Sequence, residues 1–340
     1  MPPLPESQAT PSRFPGLVPL TIGESTIWPP IIQAPMAGYT GDVYREILRE
    51  YGCPYCCTEM ISGKGLVLGG DNSRELLWHP PKDSPLAVQL FGEEPSVLSE
   101  AARLVQDPSY GGFEVIDLNM GCPARKVTGP GSGGALLKDL DRAQNIVRAV
   151  KDASSVPVTV KMRLGWDDCQ DPCDIAVRLE DAGADMLVVH GRTVTQGYSG
   201  AADWDAILRV ARSVHIPVVG NGDITTAQEA LDKATLPGLS GVMVGRAIIG
   251  NPFFFRQCLD LLDGREARIP TIREKMETAK DHFLRTIASR GERRGLLEMR
   301  KHLAFYLRGV KDASTYRTRL NHESSPERVL QILDTVAKTV

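Results

Sequence analysis

Between residues 27 and 262 the chain alternates eight times between a short apolar run and a longer segment, and nothing else in the sequence restricts the fold as strongly. The apolar runs are 27–34, 55–60, 86–90, 114–119, 158–161, 186–190, 218–221 and 241–244. They are short, continuous and rich in Val and Ile, as strands buried on both faces of a parallel sheet must be. Helices are expected over 42–50, 141–152, 172–182, 204–214, 225–234 and 251–262, and one from Pro95, where a proline in the first turn costs little. Gly63, Gly65, Gly69 and Gly70 predict a loop after the second run. Eight strand–helix units predict an α/β fold, a (β/α)8 TIM barrel. The alternative, a doubly wound open sheet, has fewer strands and carries a glycine fingerprint after the first. Here the first strand ends in Ala34-Pro35-Met36.

From Gly264 the strand signal stops. Ile272, Met276, Ala279, Phe283 and Ile287 recur at helical spacing, as do Leu296, Met299, Leu303 and Tyr306. A third helix is expected over 313–320. A fourth opens at Ser324-Ser325-Pro326-Glu327, which reads as a capping box, with Val329, Leu333 and Val336 on its apolar face. The barrel domain, 27–263, is thus followed by a small helical bundle, 264–340. Residues 1–26, with Pro2, Pro3, Pro5, Pro11 and Pro15, read as a flexible leader without the plan of a signal peptide. No apolar run reaches the roughly 18 residues that span a bilayer, so no membrane partner is expected and the cytoplasm is the expected compartment.

The net charge is −3, but residues 264–340 carry 17 Lys and Arg against 10 Asp and Glu, while residues 1–263 carry 22 against 32. A basic C-terminal fifth suits either a platform for phosphates or a solvated helical face. Seven cysteines, an odd number without a secretion signal, predict reduced thiols. Cys53 and Cys56 have CxxC spacing, but Cys169 and Cys173 are too loosely spaced to complete a zinc set and no His lies near. No metal is expected.

Active sites of such barrels are built at the C-terminal strand ends. Those ends supply Met36, Gln89, Asn119 and then Cys122, Lys161 and Arg163, His190 and Arg192, Asn221-Gly222-Asp223, and Gly245-Arg246. The last two groups, each leading into a helical stretch, predict a phosphate site, with backbone amides and Arg246 as donors. Lys161 suits the anionic edge of a reduced flavin; a Schiff-base lysine is the rival. Gln89 could meet a flavin ring through its amide, and His190 its edge. Cys122, in a turn after a strand, reads as a structural thiol, a nucleophile or a general acid. A thiol acid suits the reduction of an activated double bond.

Taken in order, the motifs Ala34-Pro35-Met36-Ala37-Gly38, Thr58-Glu59-Met60, Gln89-Leu90-Phe91-Gly92, Asp117-Leu118-Asn119-Met120-Gly121-Cys122-Pro123, Val160-Lys161-Met162-Arg163, His190-Gly191-Arg192-Thr193, Asn221-Gly222-Asp223-Ile224, Gly245-Arg246-Ala247 and Arg300-Lys301-His302-Leu303 resemble those of the tRNA-dihydrouridine synthases, most closely the bacterial B-type. The resemblance implies an FMN enzyme that uses NADPH to reduce the C5=C6 bond of selected tRNA uridines, a monomer with tRNA as its partner. It implies that Ala34, Pro35, Met36, Gln89, Lys161 and His190 bind the flavin ring, and that Asn221, Gly222, Asp223, Gly245 and Arg246 bind its phosphate. Hydride would reach C6 from FMNH⁻, and Cys122 would protonate C5. Asn119, Arg163 and Arg192 would orient the uracil or its phosphate. Arg125 and Lys126, in a flap over the RNA, would contact its backbone, and the bundle would grip tRNA through residues such as Lys301 and Arg308. The alternative is an FMN oxidoreductase of a small pyrimidine, similar to the dihydroorotate or dihydropyrimidine dehydrogenases. Such an enzyme has no use for a basic bundle.

Overall fold

The computed structural model describes residues 13–80, 82–110 and 112–339. Its first elements are an antiparallel hairpin, β1 (Leu20–Ile22) and β2 (Ser25–Ile27). Eight parallel strands follow: β3 (Ile31–Gln33), β4 (Cys56–Ser62), β5 (Leu86–Phe91), β6 (Val115–Met120), β7 (Val158–Arg163), β8 (Met186–His190), β9 (Val218–Asn221) and β10 (Gly241–Val244). Hydrogen-bonded neighbours run β3-β10-β9-β8-β7-β6-β5-β4. The seam between β3 and β4 is bridged by Gln33, whose backbone N–H donates to the Tyr55 carbonyl (3.1 Å) and whose side-chain oxygen accepts from the Cys57 amide (2.9 Å). The sheet therefore curls into a nearly closed barrel, the predicted class.

The first apolar run is shorter as a strand than its hydrophobicity suggests. Pro29 and Pro30 have no N–H to give to a ladder, so Ile27 belongs to the hairpin and β3 starts at Ile31. The hairpin corrects the expectation of a flexible leader over 1–26. Leu20, Ile22 and Ile27 are buried in one cluster with Tyr55, Val115, Met186 and Val219, at or near strand starts. They close the N-terminal end of the barrel and leave the C-terminal end open for chemistry. Residues 1–12 of that leader lie outside the described residues. The predicted glycine loop after β4 contains two short helices, Gly63–Val67 and Asp71–Glu75.

The bundle consists of helices Ile272–Arg290, Glu292–Tyr306, Ala313–His322 and Pro326–Ala337 around Met276, Phe283, Met299, Tyr306, Leu333 and Val336. The first two form a tight hairpin at Gly291, φ +78°, and Gly295 lies so close to Ile287 that a Cβ would sit 2.9 Å from its Cδ1. The expected box at Ser324–Glu327 is not formed. Ser325 is the N-cap and accepts from the Arg328 amide (3.3 Å), so the third helical residue is an arginine, which has no acceptor to return the bond. Reciprocal boxes occur instead at Thr226/Glu229 and Thr271/Glu274. The bundle is docked on the barrel by Arg285–Glu50 (2.6 Å), by Arg290–Asp42, and by the His282 ring stacked on Tyr44 at 4.9 Å. Among the described residues no helix is long and apolar enough to cross a membrane, and no cluster of three or more His, Cys, Asp or Glu could hold a metal.

Candidate active site

The turn that carries Cys122 is held from two sides. Asn119, near the end of β6, accepts from the amides of Gly121 (3.2 Å) and Cys122 (3.0 Å) with its side-chain oxygen. Its Nδ2 donates to Gln89 Oε1 (2.9 Å), Gln89 Nε2 donates to Asp117 (2.6 Å), and the Thr159 hydroxyl donates to the other Asp117 oxygen (2.6 Å). An ionised carboxylate only accepts and backbone N–H groups only donate, so both amides in this chain have one permitted orientation. From the opposite side, Arg163 Nε donates to the Gly121 carbonyl (2.9 Å), and its Nη1 reaches the carbonyls of Thr193 (2.8 Å) and Gly197 (2.7 Å). The glycine-rich stretch after Cys122 is a turn at 129–131 that leads into a short 3-10 helix, Gly133–Lys138, where the Gly134 amide donates to the Cys122 carbonyl (3.0 Å) and ties the stretch to the Cys122 turn.

Burial raises the Asp117 carboxyl to about 6, against the hydrogen bonds from Gln89 and Thr159 and the charge of Lys161, which lower it. A carboxyl with a folded pKa above its unfolded value costs stability wherever it is ionised. The cost is fully present above about pH 6 and disappears as the pH falls below the unfolded value of 3.8. Asp117→Asn, which keeps an acceptor for Gln89, is therefore expected to raise unfolding stability at pH 8 by up to about 3 kcal/mol. The gain should vanish near pH 4 in urea titrations. A variant less stable at both pH values would show that the network needs the charge.

Sheet register sets Lys161 beside Asn119, His190 beside Arg163, and Asn221 beside His190. Lys161 donates to Asn221 Oδ1 (3.2 Å), and burial followed by the charge of Arg163 pulls its ammonium down to about 8. His190 is driven to about 2 by burial and by Lys161, Arg163, Arg192 and Arg246, so it is a neutral ring at any working pH. These groups open onto a cavity of about 960 Å³. Its wall includes Ala34, Pro35, Met36, Gln89, Asn119, Cys122, Lys161, Arg163, His190, Asn221, Gly222, Asp223, Gly245, Arg246 and, from the bundle, Arg308.

The structure places the other expected residues elsewhere. Arg192 is outside that wall, with a side chain only 2% exposed. Its donors go to the carbonyls of Ser199 (3.1 Å) and Gly200 (2.6 Å) and to Asp223 (2.6 Å), which corrects its expected role as a substrate ligand. Arg125 and Lys126 are exposed on a one-turn helix, Arg125–Thr128, beside the Cys122 turn. Lys301 stands behind the loop 36–40 and outside the cavity wall.

At the far end of the cavity, Gly222 has φ +134° and a Cβ there would lie 2.6 Å from Ala202 Cβ, so only glycine fits. At the start of the helix after β9, Glu229 and Thr226 already accept the amides of Thr225, Thr226 and Glu229. Asp223, Ile224, Gly245 and Arg246 line the cavity, and their backbone amides have no protein acceptor among the described residues. Asp223 accepts from Arg246 (3.2 Å) as well as from Arg192. Desolvation alone would raise this carboxyl, but the Arg192 hydrogen bond, the Ala202 amide and Arg246 bring it below its usual value. It stays an anion that orients two arginines.

The family model described as dihydrouridine synthase (Dus) matches residues 32–340. The chain belongs to the dihydrouridine synthase family. A probable tRNA-dihydrouridine synthase of Rhodobacter capsulatus is 39% identical over 308 residues, 90% of this chain and 94% of that one. A tRNA-dihydrouridine synthase B of Xanthomonas campestris is 36% identical over 315 residues, 92% and 94% of the two chains. Among solved structures, a 2-naphthoyl-CoA reductase complex superposes with a TM-score of 0.56 at 11% identity, over 74% of this chain and 52% of that one. A variant of NCR from Zymomonas mobilis gives 0.53 at 16% identity, over 78% and 96%. These two support the barrel fold alone.

In this dihydrouridine synthase family member the cavity also has walls that strand-end reasoning missed. Tyr198 is 62% exposed at the lip, with Arg246 4.9 Å and Arg163 5.5 Å from its ring centre. Tyr39, Met60, Lys275 and Phe305 line it as well. An aromatic between Gly197 and Gly200 was the available signal for Tyr198. Nothing local distinguishes Lys275 or Phe305 from other bundle residues.

Proposed function

We propose that the protein is a flavin-dependent tRNA-dihydrouridine synthase, with FMN as cofactor and NADPH as reductant. The observation that carries this reading is the Cys122 turn, braced by Asn119 and Arg163 at the wall of a cavity that also holds Lys161. The residues present suit a flavin mononucleotide. Four unpaired amides and Arg246 would take its phosphate at one end, and Lys161 would stand by the ring at the other. Gln89 and His190 contribute a fixed amide and a neutral imidazole to the ring's surroundings. A reduced flavin held there would supply the hydride that C6 of the uracil needs.

The chain's own residues do the rest. The Cys122 thiol gives its proton to C5, completing addition of two hydrogens across the double bond. Lys161, sharing its proton with Asn221, places positive charge where negative charge accumulates. Arg163 has most of its donors committed to carbonyls, so it fixes the Cys122 turn and the Tyr198 loop together. The uracil has to be turned out of its stack to enter, at a cost of a few kcal/mol. Bundle residues Lys275 and Arg308 in the cavity wall favour a substrate that is a polyanion over a free pyrimidine.

The direct test is reconstitution. Purified protein should be yellow, release FMN on denaturation, and form dihydrouridine in unmodified tRNA when given NADPH. Full reduction of free uracil with no product in tRNA would overturn the assignment in favour of a small-molecule reductase.

A further inference from the structure

We propose that Lys301 and His302 of the bundle are positioning residues for the loop 35–40, so that the bundle completes the catalytic cavity as well as gripping RNA. The inference rests on the flavin reading above, because that loop forms the wall assigned to the flavin ring. Lys301, His302 and Phe305 lie on one face of helix Glu292–Tyr306, and all three surround Tyr39. The Lys301 ammonium is 5.4 Å from the Tyr39 ring centre, the His302 ring meets Tyr39 edge-on at 5.4 Å, and Phe305 does so at 5.6 Å. His302 is buried and packs on Tyr44 (5.4 Å) and His282 (4.7 Å) as well as on Tyr39.

Gly38 is the hinge of this contact. Its φ is +77°, and a Cβ would stand 2.6 Å from Lys301 Nζ. On the barrel side Glu59 accepts the Gly38 amide (2.5 Å), and its carboxylate feels the Lys301 charge. Gly38 is therefore held between a barrel carboxylate and a bundle helix. The loop transmits that hold to the cavity: the amides of Tyr39 (2.8 Å) and Thr40 (3.1 Å) both donate to the Met36 carbonyl, and Met36 lines the cavity. Lys301 itself does not line it. A shift of the bundle moves Met36 through Gly38 and Tyr39, which gives bound RNA a mechanical route to the flavin wall.

The test compares Lys301→Met and Lys301→Arg with the wild-type holoenzyme, with circular dichroism checking that both fold. FMN release on dilution is followed by flavin fluorescence, and tRNA affinity and kcat are measured separately. Lys301→Met should weaken FMN retention and lower kcat by roughly five- to thirtyfold, the range of a partly to fully desolvated cation–π contact. Its tRNA dissociation constant should stay within about twofold at fixed salt. Lys301→Arg, which keeps the cation over Tyr39, should recover most of the loss. The inference is overturned if Lys301→Met weakens tRNA binding with flavin retention and kcat intact, or if it changes nothing. A wild-type protein that holds no FMN removes the functional reading and this inference together, whereas an unaltered Lys301→Met sinks the inference alone.

Discussion

Cys122→Ala is expected to retain FMN and NADPH oxidation yet lose dihydrouridine formation by roughly 10²- to 10⁴-fold, the range attributed to a positioned general acid. The size follows from placement. The peptide unit joining Gly121 to Cys122 is bonded at both ends, its N–H to Asn119 and its carbonyl to Arg163, and the carbonyl of Cys122 accepts from Gly134. The backbone therefore has little freedom to bring water to the same point; among the described residues the cavity wall has no second thiol, and its one carboxyl, Asp223, is an anion bonded to two arginines. His190, held neutral with a pKa of about 2, is no reservoir of protons. Cys122→Ser should recover little, since a hydroxyl is a far weaker acid than a thiol. Single-turnover reduction of tRNA by the prereduced enzyme isolates the step. Wild-type rates in Cys122→Ala would remove the thiol from the mechanism and leave it a structural residue.

Arg192→Leu is expected to cost about 3 kcal/mol of folding stability and to impair cofactor binding, with little specific effect on tRNA affinity. Removing one partner of a buried ion pair typically costs about 3–5 kcal/mol, because a charge is left without compensation. Here the lower end applies, since Asp223 is 32% exposed while the Arg192 side chain is 2% exposed. The same change strands the carbonyls of Ser199 and Gly200. It also leaves Asp223 with Arg246 as its remaining arginine, so an unbalanced carboxylate faces the phosphate end. Denaturant titration and FMN titration read the two consequences separately. An unchanged midpoint with a raised KM for tRNA would show that Arg192 reaches the substrate after all.

The difference between those two arginines illustrates how far the sequence could be read. Arg163 and Arg192 each stand two residues from a strand-end polar group, Lys161 and His190, and local pattern treats them alike. In the fold Arg163 faces the cavity wall and Arg192 lies behind it, because the Thr193–Gly200 loop folds back and offers its carbonyls to both. The hairpin was hidden for a related reason. Leu20, Ile22 and Ile27 are three apolar residues in a proline-rich context, and only the open bottom of a barrel makes a plug of them.

Periodicity and composition alone determined the eight strand–helix units, the barrel, the bundle and its basic charge, and the set of polar residues at the strand ends. They could do so because burial on both faces of a parallel strand imposes a continuous apolar run, whose end is visible in one dimension. The tertiary structure decided which of those polar groups face the cavity and which brace it. It converted Lys301 from an expected RNA contact into a neighbour of Gly38 and Tyr39, and it wired Asp117 to Cys122 through two amides. The physical reason is that a side chain's role depends on where its donors and acceptors find partners, and those partners are separated along the chain by up to several hundred residues.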